Sequence, residues 1–342
     1  MSVPKPLVRS GLRLVRPMLD SPSTALGTKR TIVDRVVSLS RAPEGHIYDF
    51  DTIAGMDVQY VTMEANTASN CGSTILYLHG GGTVAGSGRA YRAFAANVSL
   101  ISGMDVIIPE YPLAPESPYP AALDALLELY RELPQHGFDY DSLVIAGDAS
   151  GAGLALSLVM RARDENLPMP SAIGLISPWL DMATDIYRDR EPGSDPMLTP
   201  SMITSWALPY VGRHDPEDPG ISPLRGDISG LPAIVVHYAG NDPLRSDAEA
   251  LLESLVDMPG APRVISREYP DMWHGFHLMA GRMGIADDAV IDFGESLRSL
   301  VLEEVDAPLA EVVPINRPVA ERGGHLRPVM PASDVESPTA QA

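Results

Sequence analysis

The stretch Leu143–Gly153, L-V-I-A-G-D-A-S-G-A-G, constrains the fold of this chain more than any other. Leu143 to Ala146 form a short apolar run of the kind that makes a buried strand. Gly147, Gly151 and Gly153 then permit a sharp turn, and Leu154–Met160 is apolar on nearly every side, as in a buried helix. Strand, tight turn and helix in direct succession make the setting of a nucleophile elbow, where one side chain sits on a strained corner and its neighbours two positions away must be small. Gly147 and Gly151 flank position 149 symmetrically, and that position holds Ala149, with the nearest hydroxyl one residue later on Ser150.

The rest of the chain sets that corner in an α/β frame. His46–Phe50 and Met56–Met63 read as a hairpin turning at Ala54-Gly55. Strands follow at Ser73–Leu78, Asp105–Ile108, Ala172–Ile176, Ala233–His237 and Arg263–Glu268. Helical patterns lie between them at Tyr91–Ile101, Ala121–Leu133 and Ser246–Val256, and a last helix carries Val290, Phe293, Leu297 and Val301. A hairpin followed by strand-helix alternation predicts a mostly parallel mixed sheet of about eight strands with helices on both faces. Ligands of such sheets bind beyond the carboxyl ends of the strands.

Residues 181–225 break the alternation, are rich in Pro, Asp and Met, and are too long for an ordinary loop. They read as an inserted cap with one helix at Ser201–Val211. Two helices are expected before the hairpin, near residues 5–18 and 30–40. The first carries Lys5, Arg9, Arg13 and Arg16, with Leu7, Leu14 and Met18 at helical spacing. It is expected to pack on the body with its basic face in solvent. The resulting division is 1–45 for N-terminal cap helices, 46–306 for the main domain with the insert 181–225, and 307–342 for a disordered Pro- and Ala-rich tail.

The net charge of −20 argues against nucleic acid as a partner. The single cysteine, Cys71, excludes an internal disulfide. No stretch is long and apolar enough to span a membrane, and the N-terminus lacks the apolar core of a signal peptide. A soluble, cytoplasmic protein is the expectation.

Three polar features follow strand ends. His79-Gly80-Gly81-Gly82 comes directly after an apolar strand, and a glycine run there frees backbone N–H groups to converge on one spot. Asp242 lies past the strand Ala233–His237, and His274 past Arg263–Glu268. Nucleophile, acid and histidine in that chain order are what acyl transfer on an α/β sheet requires. Taken singly, Asp242 could be a turn cap and His274 a loop histidine. His277 could share a face with His274 as a metal pair, a weak signal without further ligands; it is expected to stay away from the elbow.

With these motifs in hand the chain resembles the hormone-sensitive-lipase-like branch of the α/β-hydrolases, bacterial esterases with an H-G-G-G motif and a G-D-S-A-G elbow. Tyr111–Ala122, Y-P-L-A-P-E-S-P-Y-P-A-A, resembles the family's Y-R-L-A-P-E-x-P-F-P-A-A. Ile176–Asp181 resembles its S-P-W-L-D segment, and Ser222-Pro223-Leu224 and Gly230-Leu231-Pro232 also match, so the likeness runs from about Asp49 to Val305. It implies a serine carboxylesterase for short to medium acyl chains that needs no metal or cofactor, with a small-molecule ester as its partner and dimers as a frequent family state. It further implies an oxyanion site from the N–H groups of Gly81, Gly82 and residue 150, supported by His79, Gly80, Gly147, Asp148 and Gly151. His274 is then the base and Asp242 its orienting acid. Thr83 and Pro112 depart from the family pattern, which concerns pocket shape.

The nucleophile does not carry over, because Ala149 stands where the family has serine. For Ser150 to take its place, Asp148 would have to fit the small flanking position, and a one-residue slip would reverse the facing of the strand. Ala149 therefore holds the corner, and Ser150 opens the helix, turned away from His274. It could cap that helix and remains the alternative nucleophile. Ala149 is either an alanine replacement of a natural serine or the mark of a catalytically inactive, ligand-binding relative, as the plant gibberellin receptors are in this family.

Overall fold

Strand β3 (Thr74–Leu78), β5 (Leu143–Asp148) and β6 (Ala172–Ile176) are apolar runs because both of their faces are covered. Alternate residues go to opposite cores. Leu76, Leu78, Leu143 and Ile145 pack on one side with helices α4 (Ala121–Glu132) and α5 (Ser150–Asp164). Ile75, Tyr77, Val144 and Ala146 pack on the other with α3 (Gly88–Ser102) and the last helix, α8 (Gly284–Leu302). The computed structural model describes residues 3–64, 71–183, 195–256, 258–302 and 312–314.

Among these residues the remaining strands are β1 (His46–Ile53), β2 (Met56–Met63), β4 (Asp105–Pro109), β7 (Ala233–Ala239) and β8 (Val264–Tyr269), with a short β9 (Val312–Pro314). One sheet takes them in the order β1-β2-β4-β3-β5-β6-β7-β8-β9. β1–β2 and β2–β4 are antiparallel and every later pair is parallel. The hairpin turns at Ala54 (φ 52°) and Gly55 (φ 71°), the two positive φ values that a tight two-residue turn needs. The eight-stranded sheet expected from the sequence is thus present, extended by β9. Those three residues fall inside the tail expected to be disordered, and they use the open edge of β8. The other tail residues lie outside the described set.

The parallel strands place their carboxyl ends on one side, and three helices, α1 (Lys5–Asp20), α2 (Leu26–Val37) and α6 (Pro200–Val211), line a cleft there with Gly81, Ala149 and His274. The segment 181–225 is pinned where it leaves and rejoins the sheet layer. Asp181 Oδ2 pairs with Arg225 Nε at 2.8 Å, Met182 N donates to Ser222 Oγ at 2.7 Å, and Leu224 N donates to the Leu180 carbonyl at 3.2 Å. Residues 184–194 of this expected cap lie outside the described set.

Helix α1 docks through a different apolar stripe from the one expected. Leu12 and Leu19 are the buried pair, whereas Leu7, Leu14 and Met18 are 64%, 81% and 46% exposed. Two apolar stripes run along this helix, and it docks through the one that continues into Val8. Lys5, Arg9 and Arg16 are half-buried while Arg13 stays exposed, and Arg16 Nη1 reaches the Asp195 carbonyl at 3.5 Å.

The glycines at the strand-helix corner supply a test. A Cβ at Gly151 would lie 2.1 Å from the Leu78 carbonyl oxygen, whereas one at Gly11 on α1 meets nothing within 4 Å. Gly151→Ala is expected to destabilise the fold by roughly 1–3 kcal/mol through overpacking, whereas Gly11→Ala in an exposed helix interior should stabilise it by about 0.5–1 kcal/mol. Urea unfolding of both variants checks the pair.

Candidate active site

Ala149 joins β5 to α5 at φ 51°, ψ −121°, a conformation that residues with a side chain rarely adopt. Neighbouring chains hold it there. Its N–H donates to the Ile176 carbonyl at 3.0 Å, and its carbonyl accepts from Trp179 N at 3.0 Å. Gly147 lets the corner close, since a Cβ there would come within 2.6 Å of the Gly151 and Leu78 backbones. The need for small residues at 147 and 151 is therefore steric and concerns backbone on both sides.

Asp148 could not occupy a flanking position that demands a small residue. Its carboxylate is buried and accepts from the hydroxyls of Tyr77 at 3.0 Å and Tyr91 at 2.8 Å, and from Gly80 N at 3.0 Å. Burial raises its pKa to about 6, against the lowering pull of the tyrosine hydroxyls. Asp148 thus ties the corner to the glycine loop. On that loop Gly81 (φ 127°) would bring a Cβ to 2.1 Å from the Ala85 carbonyl, so glycine is required there. The His79 ring is buried, within 2.9 Å of the Gly80 carbonyl, and burial lowers its pKa to about 4, which keeps it neutral. From α2, Arg30 donates to the carbonyls of Val84 at 2.7 Å and Ala114 at 3.0 Å, clipping the glycine loop to the proline-rich loop after β4.

Ser150 is fully buried, and its Oγ accepts from Thr83 N at 3.1 Å. That hydroxyl braces the glycine loop, so it does not cap α5, which shows no side-chain cap. The departure from the family at Thr83 lies at the same spot: Thr83 has φ 59° and its hydroxyl donates to the Gly82 carbonyl at 2.5 Å.

His274 Nδ1 lies 2.8 Å from Asp242 Oδ2. Asp242 makes both contacts at once, since its Oδ1 also accepts from Leu244 N at 2.8 Å to close the turn into α7 (Arg245–Val256). With Nδ1 engaged, Nε2 is the ring nitrogen left for other chemistry. Burial lowers the pKa of His274, but the carboxylates of Asp242, Asp195 and Asp148 outweigh it and raise the value to about 9.

One residue departs from expectation, and a second was not singled out in the sequence. His277 was expected away from the elbow, yet its Nε2 lies 3.9 Å from Asp148 Oδ2, because the turn Phe276–Met279 folds the ring inward against Phe94. Burial and the charge of His274 lower its pKa to about 3. Asp195, which carries no motif, is buried and its Oδ2 accepts from the backbone N of His274 at 2.7 Å. Its one local signal, a carboxylate two residues before a run of N–H groups, marks any turn. Among the described residues no group of three or more His, Cys, Asp or Glu could hold a metal ion, and no helix is long and apolar enough to cross a membrane.

Ala149, Gly81, Gly82 and His274 line one cleft of about 730 Å³, counted to its open mouth. Leu19, Val33 and Val37 close it from the N-terminal helices, and Leu198, Met202 and Trp206 from the segment 181–225. A Cβ at Gly82 would meet the Trp206 ring at 2.7 Å, so this glycine loop and α6 touch directly.

A strained strand-helix corner, an acid-histidine pair past later strands and a glycine loop thus share one apolar cleft at the strand ends of an α/β sheet. Residues 75–278 match the family described as alpha/beta hydrolase fold. LipR of Mycobacterium tuberculosis, named for an acetyl-hydrolase activity, is 40% identical over 298 residues, which cover 87% of this chain and 95% of LipR. An acetyl-hydrolase of Streptomyces hygroscopicus is 34% identical over 63% of this chain and 73% of its own length. Among solved structures, an esterase of the bacterial hormone-sensitive lipase family superposes with a TM-score of 0.78 at 26% identity, covering 87% of this chain and 99% of that one. EstE5, in a crystal soaked with p-nitrophenyl butyrate, superposes with a TM-score of 0.76 at 30% identity over 86% of this chain and 99% of its own. The chain belongs to the α/β-hydrolase fold family, in the hormone-sensitive-lipase-like branch of carboxylesterases and lipases.

The raised pKa of His274 has a stability consequence. A histidine whose folded pKa stands above the unfolded value of 6.5 stabilises the fold below about pH 6.5, and that contribution is lost as pH rises through about 9. The melting temperature should therefore fall between pH 6.5 and 9, and His274→Gln should flatten that part of the curve. Calorimetry of both proteins across this range checks the sign.

Proposed function

We propose that this cleft serves the hydrolysis of carboxylic esters with short to medium acyl chains, and that position 149 is the nucleophile's place. In this reading Asp242 orients His274, and His274 is the general base. Backbone N–H groups of Gly81, Gly82 and Ser150 receive the oxyanion. The observation that carries the reading is the backbone of Ala149: a side chain with φ 51° on the cleft that also holds the His274–Asp242 pair. An apolar cleft suits an acyl chain, and the small ester soaked into EstE5 crystals is of this class.

A serine at 149 would lose its proton to His274 Nε2 as its oxygen attacked the ester carbonyl. The alcohol would leave with that proton, and water would then release the acid by the same route. A methyl at 149 can do none of this. That single fact favours the second reading, in which the chain as it stands binds an ester-like ligand without turning it over. Ser150 is the poorer candidate for nucleophile, because its Oγ is already engaged by Thr83 N beneath the glycine loop.

The chain as written is expected to be nearly inert toward p-nitrophenyl butyrate, and Ala149→Ser is expected to produce an esterase. The difference should be on the order of 10⁶ in kcat, with about 10³ over water left to the oxyanion donors and binding. Ser150→Ala added to Ala149→Ser should retain turnover at a lower level. Turnover by the chain as written, abolished by Ser150→Ala alone, would assign the nucleophile to Ser150. Absence of turnover in both the chain and Ala149→Ser, with ester-like ligands still bound, would leave the binding protein.

A further inference from the structure

Asp195 joins three parts of the molecule through one residue. Its Oδ1 accepts from the backbone N–H groups of Met197 and Leu198, both at 2.8 Å, folding a tight turn in the segment that lines the cleft. Its Oδ2 accepts from the backbone N–H of His274 at 2.7 Å. Its own carbonyl receives Arg16 Nη1 from α1. The side chain is buried, as is the Asp242 carboxylate that holds the other side of His274.

A second buried carboxylate beside Asp242 is an expensive way to fold a turn. Asn or Ser would accept the Met197 and Leu198 N–H groups without charge. The oxygen left over by the turn is the one that reaches His274, and only a carboxylate offers acceptors on both sides. Burial first, and the nearby charge of Asp242 second, raise the pKa of Asp195 to about 6, so the carboxylate form is held at a cost. Its N–H contact with His274 and the charge on the imidazole work against that cost.

We propose that Asp195 is a positioning residue for the ester hydrolysis proposed above: it fixes the backbone of His274, and hence the ring against Asp242, and does so from the segment that closes the cleft. The base is then held in place when Met197 and Leu198 are seated over the acyl site. This inference rests on the ester-hydrolase reading for its purpose, but its geometry can be tested without turnover.

The ionisable groups facing His274 are Asp242 from the loop after β7, Asp195 from the cleft-lining segment, Asp148 from the end of β5 and His277 from the following turn. In the chain as it stands, with histidines labelled for NMR, Asp195→Asn is the informative substitution. The amide oxygen still accepts from Met197 and Leu198, whereas its NH₂ faces the His274 N–H donor. The His274 titration midpoint should fall by about one pH unit with the loss of one neighbouring negative charge. The downfield proton resonance of the Nδ1–Asp242 hydrogen bond should broaden as the ring loosens. In Ala149→Ser, the same substitution should lower kcat by about 10- to 100-fold through misplacement of the base, with KM changed by less than roughly threefold. Asp195→Ser, too short to reach His274, should give the same directions if the Asn variant does not fold. A folded Asp195 variant with an unmoved His274 midpoint and a sharp downfield proton would overturn the proposal. So would a rise in KM alone, which would make Asp195 a clasp for the cleft-lining turn at Met197 and Leu198 and nothing more. If Ala149→Ser is inert, the ester-hydrolase reading fails by itself, and the NMR titration still decides whether Asp195 positions His274.

Discussion

The backbone conformation of residue 149 is the constraint on which the rest of the site depends. A residue with a side chain at positive φ costs on the order of 1–3 kcal/mol and persists only where its surroundings leave no alternative. Here the surroundings are the carboxyl ends of three adjacent parallel strands. β5 delivers the chain into the corner, the Ile176 carbonyl at the end of β6 holds the Ala149 N–H, and the first turn of α5 rides against the Leu78 and His79 carbonyls past β3. The same close approach places the glycine loop over the start of α5, where Ser150 and Asp148 each take one of its backbone N–H groups. The corner and the glycine loop are therefore one mechanical unit.

Charge around this unit is arranged by burial. The chain carries a net −20 and gathers Asp148, Asp195 and Asp242 about His274. The other inward histidines are kept neutral: burial lowers His79 to about 4, and His237 and His277 to about 3. One imidazole among four is biased toward its cation, and it is the one with carboxylates on several sides. In the proposed reaction the same arrangement stabilises the imidazolium formed when a nucleophile gives up its proton.

Much of this was legible in the residues. Strand-helix alternation, the glycines at 147 and 151 and the order elbow, Asp242, His274 depend on local spacing, and spacing is written in the sequence. The placement of Ala149 at the corner followed from a steric rule, and the contacts of Gly147 and Gly151 give that rule its atoms. Other features were not legible because they depend on which of two equal local choices the fold takes. Helix α1 bears two apolar stripes, and only packing selected Leu12 and Leu19 over Leu7 and Leu14. The hydroxyl of Ser150 had a helix end and a neighbouring loop within reach, and it went to Thr83.

The sequence by itself determined the sheet, the sharp turn at 149, the glycine loop and the places of Asp242 and His274 past successive strand ends, because each is set by residue type at short range. Only the tertiary structure decided that Asp195, some eighty positions from His274, shares a hydrogen bond with its backbone, and that His277 turns inward toward Asp148. No periodicity or motif encodes those contacts. They arise from the way the segment after residue 194 folds back over the strand ends, where a buried carboxylate must find donors from whatever chain lies beside it.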